Sequence, residues 1–117
     1  MARSKSEKYE IMVALKPLLP DDVRKSMHKE VIDLVKDQKG EVDDVDVWGK
    51  RYLAYEIEGH NEGYYILYQA SIPAVSIAEI KRQLGLKQEI LRFMIIRVDD
   101  PAELKKKLKK KDIQLDE

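Results

Sequence analysis

Residues 48–52, Trp-Gly-Lys-Arg-Tyr, place two cations between two aromatic side chains. Lys50 and Arg51 supply the positive charge that phosphate contacts need, and the rings of Trp48 and Tyr52 are surfaces on which bases can stack. This run is compatible with RNA binding but does not by itself identify it. An alternative interpretation is that Trp48 is a core residue at a strand edge.

A second basic group, Lys81, Arg82 and Lys87, lies near the end of a predicted helix. Cations at this position either contact RNA or simply complement the helix dipole. Both interpretations stay open at this point.

Groups suited to catalysis or metal binding are sparse. The two histidines, His28 and His60, fall on a polar helix position and at a turn, and no nucleophile is paired with a base. The cluster of aspartates at residues 43–46 lacks the spacing of a calcium loop and is typical of a solvated strand edge. We therefore predict no enzyme activity, no cofactor, no metal site and no small-molecule substrate.

The composition indicates one domain. The chain has 117 residues, 44% of them apolar, and a domain of this size buries roughly two thirds of its unfolded surface. Its 22 basic and 22 acidic residues cancel, so RNA contacts must come from a local patch. The sequence contains no cysteine, signal peptide or membrane-spanning apolar run, which predicts a cytoplasmic protein without a membrane partner.

Period-2 patterns predict four strands. Residues 9–15 form the first strand, and its odd positions are apolar and assigned to the core. Residues 41–57 and 64–72 are the β-branched and aromatic arms of a long hairpin, joined by a polar turn at residues 58–63. Residues 89–98 form the last strand.

Two helical patterns separate these strands. The first begins after Pro20, continues to Gln38 and is expected to end at Gly40 in a left-handed cap. The second begins either at Pro73, as a first-turn proline, or at a capping box formed by Ser76 and Glu79. It is expected to end at Gly85.

This order of elements predicts an α+β fold. With right-handed crossovers, βαββαβ gives the ferredoxin-like plait, a four-stranded antiparallel sheet with both helices on one face. We assign residues 1–7 to a flexible N-terminus, 8–98 to the domain and 99–117 to a charged, Lys-rich tail. The six lysines between Lys105 and Lys111 are expected to be disordered and to bind phosphate or a partner non-specifically.

The sheet face opposite the helices is expected to be apolar and open. In the last strand, Leu91, Phe93 and Ile95 are assigned to the helix side. The residues assigned to the open face are Met12, Ala14, Arg92, Met94, Ile96 and, if the third strand pairs in the same sense, Tyr64, Ile66 and Tyr68. Such a surface indicates a protein partner, unless loops or the tail cover it. A bulge at residues 48–49 would reassign the second strand.

Residues 48–57, WGKRYLAYEI, closely resemble the signature of bacterial small-subunit ribosomal protein six. Residues 9–12, 63–65 and 92–94 are similar to the same family, and the match covers about residues 8 to 98 in order. The resemblance implies a ferredoxin-like fold and a structural role in the ribosome. It also implies binding of the central domain of small-subunit ribosomal RNA as a heterodimer with small-subunit protein eighteen.

The candidate site residues follow from the basic and aromatic side chains described above and from the family resemblance. The RNA-binding candidates are Lys50, Arg51, Lys87 and Arg92. The partner-binding candidates are Trp48, Leu53, Tyr55, Tyr64 and Tyr68.

Two alternative functions share the predicted fold. An RNA-recognition motif needs a basic residue, glycine and alternating aromatics in its third strand, whereas this chain has Glu62 before Gly63. A small-molecule regulatory domain outside the ribosome stays open, because a fold alone does not define a function.

Overall fold

The computed structural model describes residues 6–98 and the short strand at residues 113–114. The elements are β1 (Ser6–Leu15), α1 (Asp21–Asp37), β2 (Glu41–Ile57), β3 (His60–Pro73), a 3₁₀ helix (Ala74–Ser76), α2 (Ile77–Gly85), β4 (Ile90–Arg97) and β5 (Ile113–Gln114). Within these residues, no helix is both long and apolar enough to cross a membrane.

The strands form one antiparallel sheet in the order β4-β1-β3-β2-β5. The predicted ferredoxin-like plait is confirmed, with β1 at its centre between β3 and β4. The additional strand β5 pairs with Tyr52 and Leu53 at the outer edge of β2. The rest of the predicted Lys-rich tail, like residues 1–5, lies outside the described residues.

Both helices pack on the same face of the sheet. The odd residues of β1 lie in this core, as their period-2 pattern predicts. They meet Met27, Val31 and Val35 of α1 together with Ile80 and Leu84 of α2. These helix residues recur at spacings of three and four, so each helix buries one apolar stripe.

The end of α1 differs from its prediction. Lys39, not Gly40, has the positive φ of 67°, and the Gly40 N–H donates to the Val35 carbonyl at 2.8 Å. This is a Schellman ending with Lys39 in the left-handed position. Gly40 is needed for space instead, because an added Cβ would lie 2.9 Å from Val35 Cγ1 and 3.0 Å from the Ser71 carbonyl oxygen.

The hairpin turn is shorter than predicted. Glu58 and Gly59 form a two-residue turn with φ values of 50° and 80°. Positive φ at both positions is what a type I′ turn requires, and its twist suits a long two-stranded ribbon. Consequently β3 begins at His60, and Glu62 and Gly63 lie within the strand.

α2 begins at Ile77 with Ser76 as its N-cap residue, which agrees with the later of the two predicted starts but not with a start at Pro73. Pro73 is the last residue of β3, and a short 3₁₀ helix separates it from α2. Ser76 makes no capping hydrogen bond, because its Oγ donates to the Gln38 carbonyl at 2.9 Å. Glu79 accepts hydrogen bonds from Arg82 and Gln83, so the predicted capping box is wrong.

A bulge changes the face assignment at the start of β4. Leu15 pairs with Ile90 and Ala14 pairs with Arg92, so Leu91 is an extra residue in β4. Ile90 therefore lies on the helix side, and Leu91 lies on the opposite side, so its predicted assignment to the helix side is wrong. Beyond the bulge, Phe93 and Ile95 lie on the helix side as predicted.

Candidate RNA and partner interface

The middle of β2 contains a bulge at the predicted basic-aromatic run. Val47 pairs with Ile66 and Gly49 pairs with Tyr65, so Trp48 is the extra residue. Gly49 has a φ of 77°, a conformation that favours glycine. Trp48 is half-buried and packs against the apolar cluster on the face opposite the helices, while its Nε1 donates to Asp46 at 3.1 Å.

The two central cations point to different sides of the sheet. Lys50 lies opposite Tyr64 and shares its face, the helix side, whereas Arg51 follows it and points to the other side. The side chain of Lys50 is 66% exposed, and its Nζ lies 3.9 Å from Glu62 Oε1. Such a long, exposed ion pair contributes little, so Lys50 is available to a ligand.

The arm of β2 beyond Tyr52 leaves the regular ladder. Tyr52 pairs with Glu62 and Ile57 pairs with His60, so residues 53–56 form a wide irregularity. Leu53 is buried in the apolar cluster opposite the helices. Tyr55 accepts a hydrogen bond of 2.5 Å from Arg92 Nη1 on β4, although β1 and β3 separate β2 from β4 in the sheet. The arm therefore folds over the sheet.

The face opposite the helices is buried over β1 and β3, where the expectation of an open apolar surface is wrong, whereas Met94 and Ile96 of β4 lie on this face and are half-buried. Met12, Ala14 and Leu67 are at most 2% exposed. Trp48 and Ile57 of β2 pack against them, as does Leu53. The cover is provided by the β2 arm, whereas the alternative interpretation had assigned it to loops or the tail.

Tyr64 and Tyr68 do not lie on that face. They pair with Leu15 and Ile11, and together with Ile66 they point into the helix-side core. Tyr68 is fully buried, and its hydroxyl lies 3.0 Å from Nδ1 of His28, whose ring stacks on the tyrosine at a centroid distance of 5.5 Å. His28 is thus a half-buried partner of Tyr68 rather than a surface histidine.

The basic group at the end of α2 is engaged in ion pairs. Lys87 Nζ lies 2.7 Å from Glu30 Oε1, and its side chain is only 20% exposed. Arg82 donates two hydrogen bonds to Glu79, and these bonds, with a further one from Gln83, lower the pKa of the Glu79 carboxyl to about 2. Of the predicted RNA-binding residues, Lys87 is thus paired with Glu30 and Arg92 with Tyr55, whereas the side chain of Lys50 is 66% exposed.

A cavity on the helix side includes residues that the sequence analysis did not assign. It has a volume of about 310 Å³ and lies between α1 and the neighbouring part of β2 and β3. The lining residues are Asp21, Arg24, Lys25, His28, Val47, Tyr64 and Ile66. The sequence signal for this cavity was the spacing of Arg24 and His28, which lie one helical turn apart, with a second cation, Lys25, next to Arg24. In the described part of the chain, no group of three or more His, Asp or Glu side chains could hold a metal ion.

Comparison with known proteins gives a consistent result. The family model described as ribosomal protein S6 matches residues 8–97. Small ribosomal subunit protein bS6 of Rhodococcus opacus is 42% identical over 89 residues, covering 76% of this chain and 94% of that protein. The corresponding protein of Dictyoglomus turgidum is 39% identical over 88 residues, covering 75% and 91%. The crystal structure of 30S ribosomal protein S6 from Thermotoga maritima superposes with a TM-score of 0.77 at 29% identity, covering 91% of this chain and 97% of that one.

Proposed function

Because this chain belongs to the ribosomal protein S6 family, a structural component of the small ribosomal subunit, we propose that it binds the central domain of small-subunit ribosomal RNA together with small-subunit protein eighteen. The observation that carries this proposal is the exposed stretch of β2 at residues 50–55. Two cations and two exposed tyrosines, Tyr52 and Tyr55, lie there, beside the bulge and on the arm that folds over the sheet.

Lys50 and Arg51 carry the RNA contact in this proposal. Lys50 is exposed and weakly paired, and Arg51 donates only to the Lys50 carbonyl among the described residues. Since they point to opposite sides of a narrow strand edge, they can contact phosphates on both sides of it. Arg92 supports the same surface indirectly by holding Tyr55 in place.

The partner contact is assigned to the β2 arm. Tyr55 is 55% exposed and presents an amphipathic ring, the kind of side chain that is enriched at protein interfaces. Trp48 and Leu53 anchor the arm in the cluster opposite the helices and so fix its position. Tyr64 and Tyr68, which point toward the helices, are not part of this contact.

An RNA-recognition motif is disfavoured by the buried sheet. That module stacks bases on exposed aromatics of its central strands. Here Tyr65 is fully buried on the face opposite the helices, and Tyr68 is buried on the helix side. The proposed RNA surface is therefore the exposed part of β2 rather than the sheet face.

The experiment is filter binding to a central-domain RNA fragment over a salt series, with and without protein eighteen. The chain has no net charge, so few counterions are displaced and we expect weak binding alone and tight binding with the partner. The double variant Lys50→Ala with Arg51→Ala should keep the fold, weaken binding by the heterodimer and reduce the salt slope by about 1 to 2.

The control is Lys29→Ala with Lys36→Ala, which removes two exposed cations from α1. This pair should leave both affinity and salt slope unchanged. Tight binding by the isolated chain, or equal salt slopes for the two double variants, would contradict the assignment.

A further inference from the structure

The helix-side cavity combines an apolar floor with a cationic rim. Its floor is formed by Val47, Ile66 and the Tyr64 ring. Val47 is 55% exposed although it is a large apolar side chain in a strand, so the floor reaches the surface. At about 310 Å³ the cavity is at the lower end of the range for small-molecule sites.

The rim contains one cation that is held in place. Arg24 lies over the Tyr64 ring at 4.7 Å from its centroid, donates to the Leu19 carbonyl at 2.9 Å and pairs with Asp21. These three contacts fix the guanidinium plane against the aromatic ring before any ligand arrives. Because the guanidinium covers the ring of Tyr64, its own outer plane is the surface on which a planar base can stack.

Two further cationic or donor groups stand beside this surface. Lys25 is exposed and makes no ion pair within the described part of the chain. His28 lines the same cavity, and its Nδ1 is engaged by Tyr68, which leaves Nε2 for a ligand. Lys50 lies opposite Tyr64 in the β2–β3 register, so the rim continues into the proposed RNA surface.

We propose that this cavity takes one unstacked nucleotide of single-stranded RNA. The base packs on Val47 and the Arg24–Tyr64 pair, and its phosphate meets Lys25 and His28 at the rim. Asp21 adds one carboxylate to the lining, but Arg24 neutralises it. The inference deepens the proposed function, since it rests on RNA as the ligand. An acidic peptide would use the cations but not the flat aromatic floor.

The first test follows backbone amide and ring signals of the full chain by NMR during titration with nucleoside 5′-monophosphates. We expect shifts confined to the cavity, with Tyr64 and His28 ring protons among the largest. A single-stranded RNA hexanucleotide should shift the same signals at lower concentration, and a blunt RNA duplex should not. Inorganic phosphate alone should be far weaker, and equal shifts from phosphate would reduce the cavity to an anion site and overturn the proposal.

The second test uses a matched pair of lysine variants on α1. Lys25→Ala should weaken binding of the hexanucleotide about three- to fivefold and lower its salt slope by about 1. Lys36→Ala removes the same charge from the last turn of α1 and should have no effect. Equal affinities for the two variants would overturn the inference.

The outcomes separate this inference from the proposed function. If Lys25→Ala leaves RNA binding of the heterodimer unchanged while Lys50→Ala with Arg51→Ala weakens it, the proposed function holds and the cavity inference fails. If nucleotides shift the cavity signals but the chain does not bind central-domain RNA even in the presence of protein eighteen, the cavity inference holds and the proposed function fails. If protein eighteen shifts these signals and excludes nucleotides, the cavity is a protein contact and the inference fails.

Discussion

Tyr68 lies fully buried beneath α1, with its hydroxyl against Nδ1 of His28. Burial disfavours the phenolate and therefore raises the pKa of Tyr68 above its ordinary value. Above about pH 10 the unfolded chain loses this proton while the folded chain keeps it. The folded state then binds more protons than the unfolded state, so stability falls as pH rises through that range.

Tyr68→Phe should remove this alkaline loss of stability. At pH 8 the variant should be about 1 kcal/mol less stable, because the hydrogen bond to His28 is lost. Above pH 10 its free energy of unfolding should decline less steeply than that of the natural chain, by up to about 1.4 kcal/mol per pH unit. Urea unfolding at several pH values measures both effects.

The control for this variant is Tyr52→Phe, at a tyrosine that is 48% exposed. It should have the same pH dependence as the natural chain. If Tyr68→Phe and Tyr52→Phe gave the same slope above pH 10, the assignment of the alkaline effect to Tyr68 would be wrong.

At the scale of elements, the junction between α1 and β2 depends on close approach. Gly40 lies where α1 passes over β3, with no room for a side chain between Val35 and Ser71. Substituting it forces neighbouring atoms, one of them a backbone oxygen, to move. Adding atoms to such a tightly packed site lowers the stability of the fold.

Gly40→Ala should therefore lower the free energy of unfolding by about 1–3 kcal/mol. Gly85→Ala is the comparison, because an added Cβ there would lie 4.0 Å from Phe93 Cε1, an ordinary contact. Since Gly85 ends a helix, alanine should be neutral or stabilise it by up to about 1 kcal/mol. Denaturant unfolding checks both, and equal effects of the two substitutions would contradict the steric argument.

The elements themselves could be predicted because their periodic patterns are regular. In β1 the apolar odd positions continue without interruption, and the helix-side assignment is correct over the whole predicted strand. Prediction of the faces failed in β4, where one extra residue reverses the alternation. It failed in β3 for another reason: residues of both parities are apolar, because both faces of the sheet are buried.

The candidate site could be predicted only in part. Lys50 and Tyr55 were recognisable from residue type and from the family resemblance. The contact between Tyr55 and Arg92 could not be predicted. It depends on the departure of residues 53–56 from the β2–β3 ladder, and no local sequence pattern indicates this departure. The cavity at Arg24 and Lys25 depends on the packing angle of α1 on the sheet, which a single sequence does not specify.

At the scale of the whole molecule, protection against hydrogen exchange should follow the sheet order. Amides of Ile11 and Val13 lie in the central strand between two partners and should exchange only through global unfolding. Residues 54–56 are exposed and lie outside the β2–β3 ladder, so their amides should exchange orders of magnitude faster. Exchange measured by NMR, with the unfolding free energy from urea as the reference, tests this ranking. Slow exchange at residues 54–56 would show that the arm is more firmly fixed than its pairing indicates.

The central place of β1 also affects the chain while it is being made. β1 is completed early, but its second neighbour, β4, ends at Arg97, roughly eighty residues later. At common rates of synthesis this interval is about 4–16 s. During that time β1, apolar on both faces, has an unpaired edge that neighbouring nascent chains can join. β1 is therefore made early but is enclosed on both sides only when β4 arrives, and a growing chain needs shielding until then.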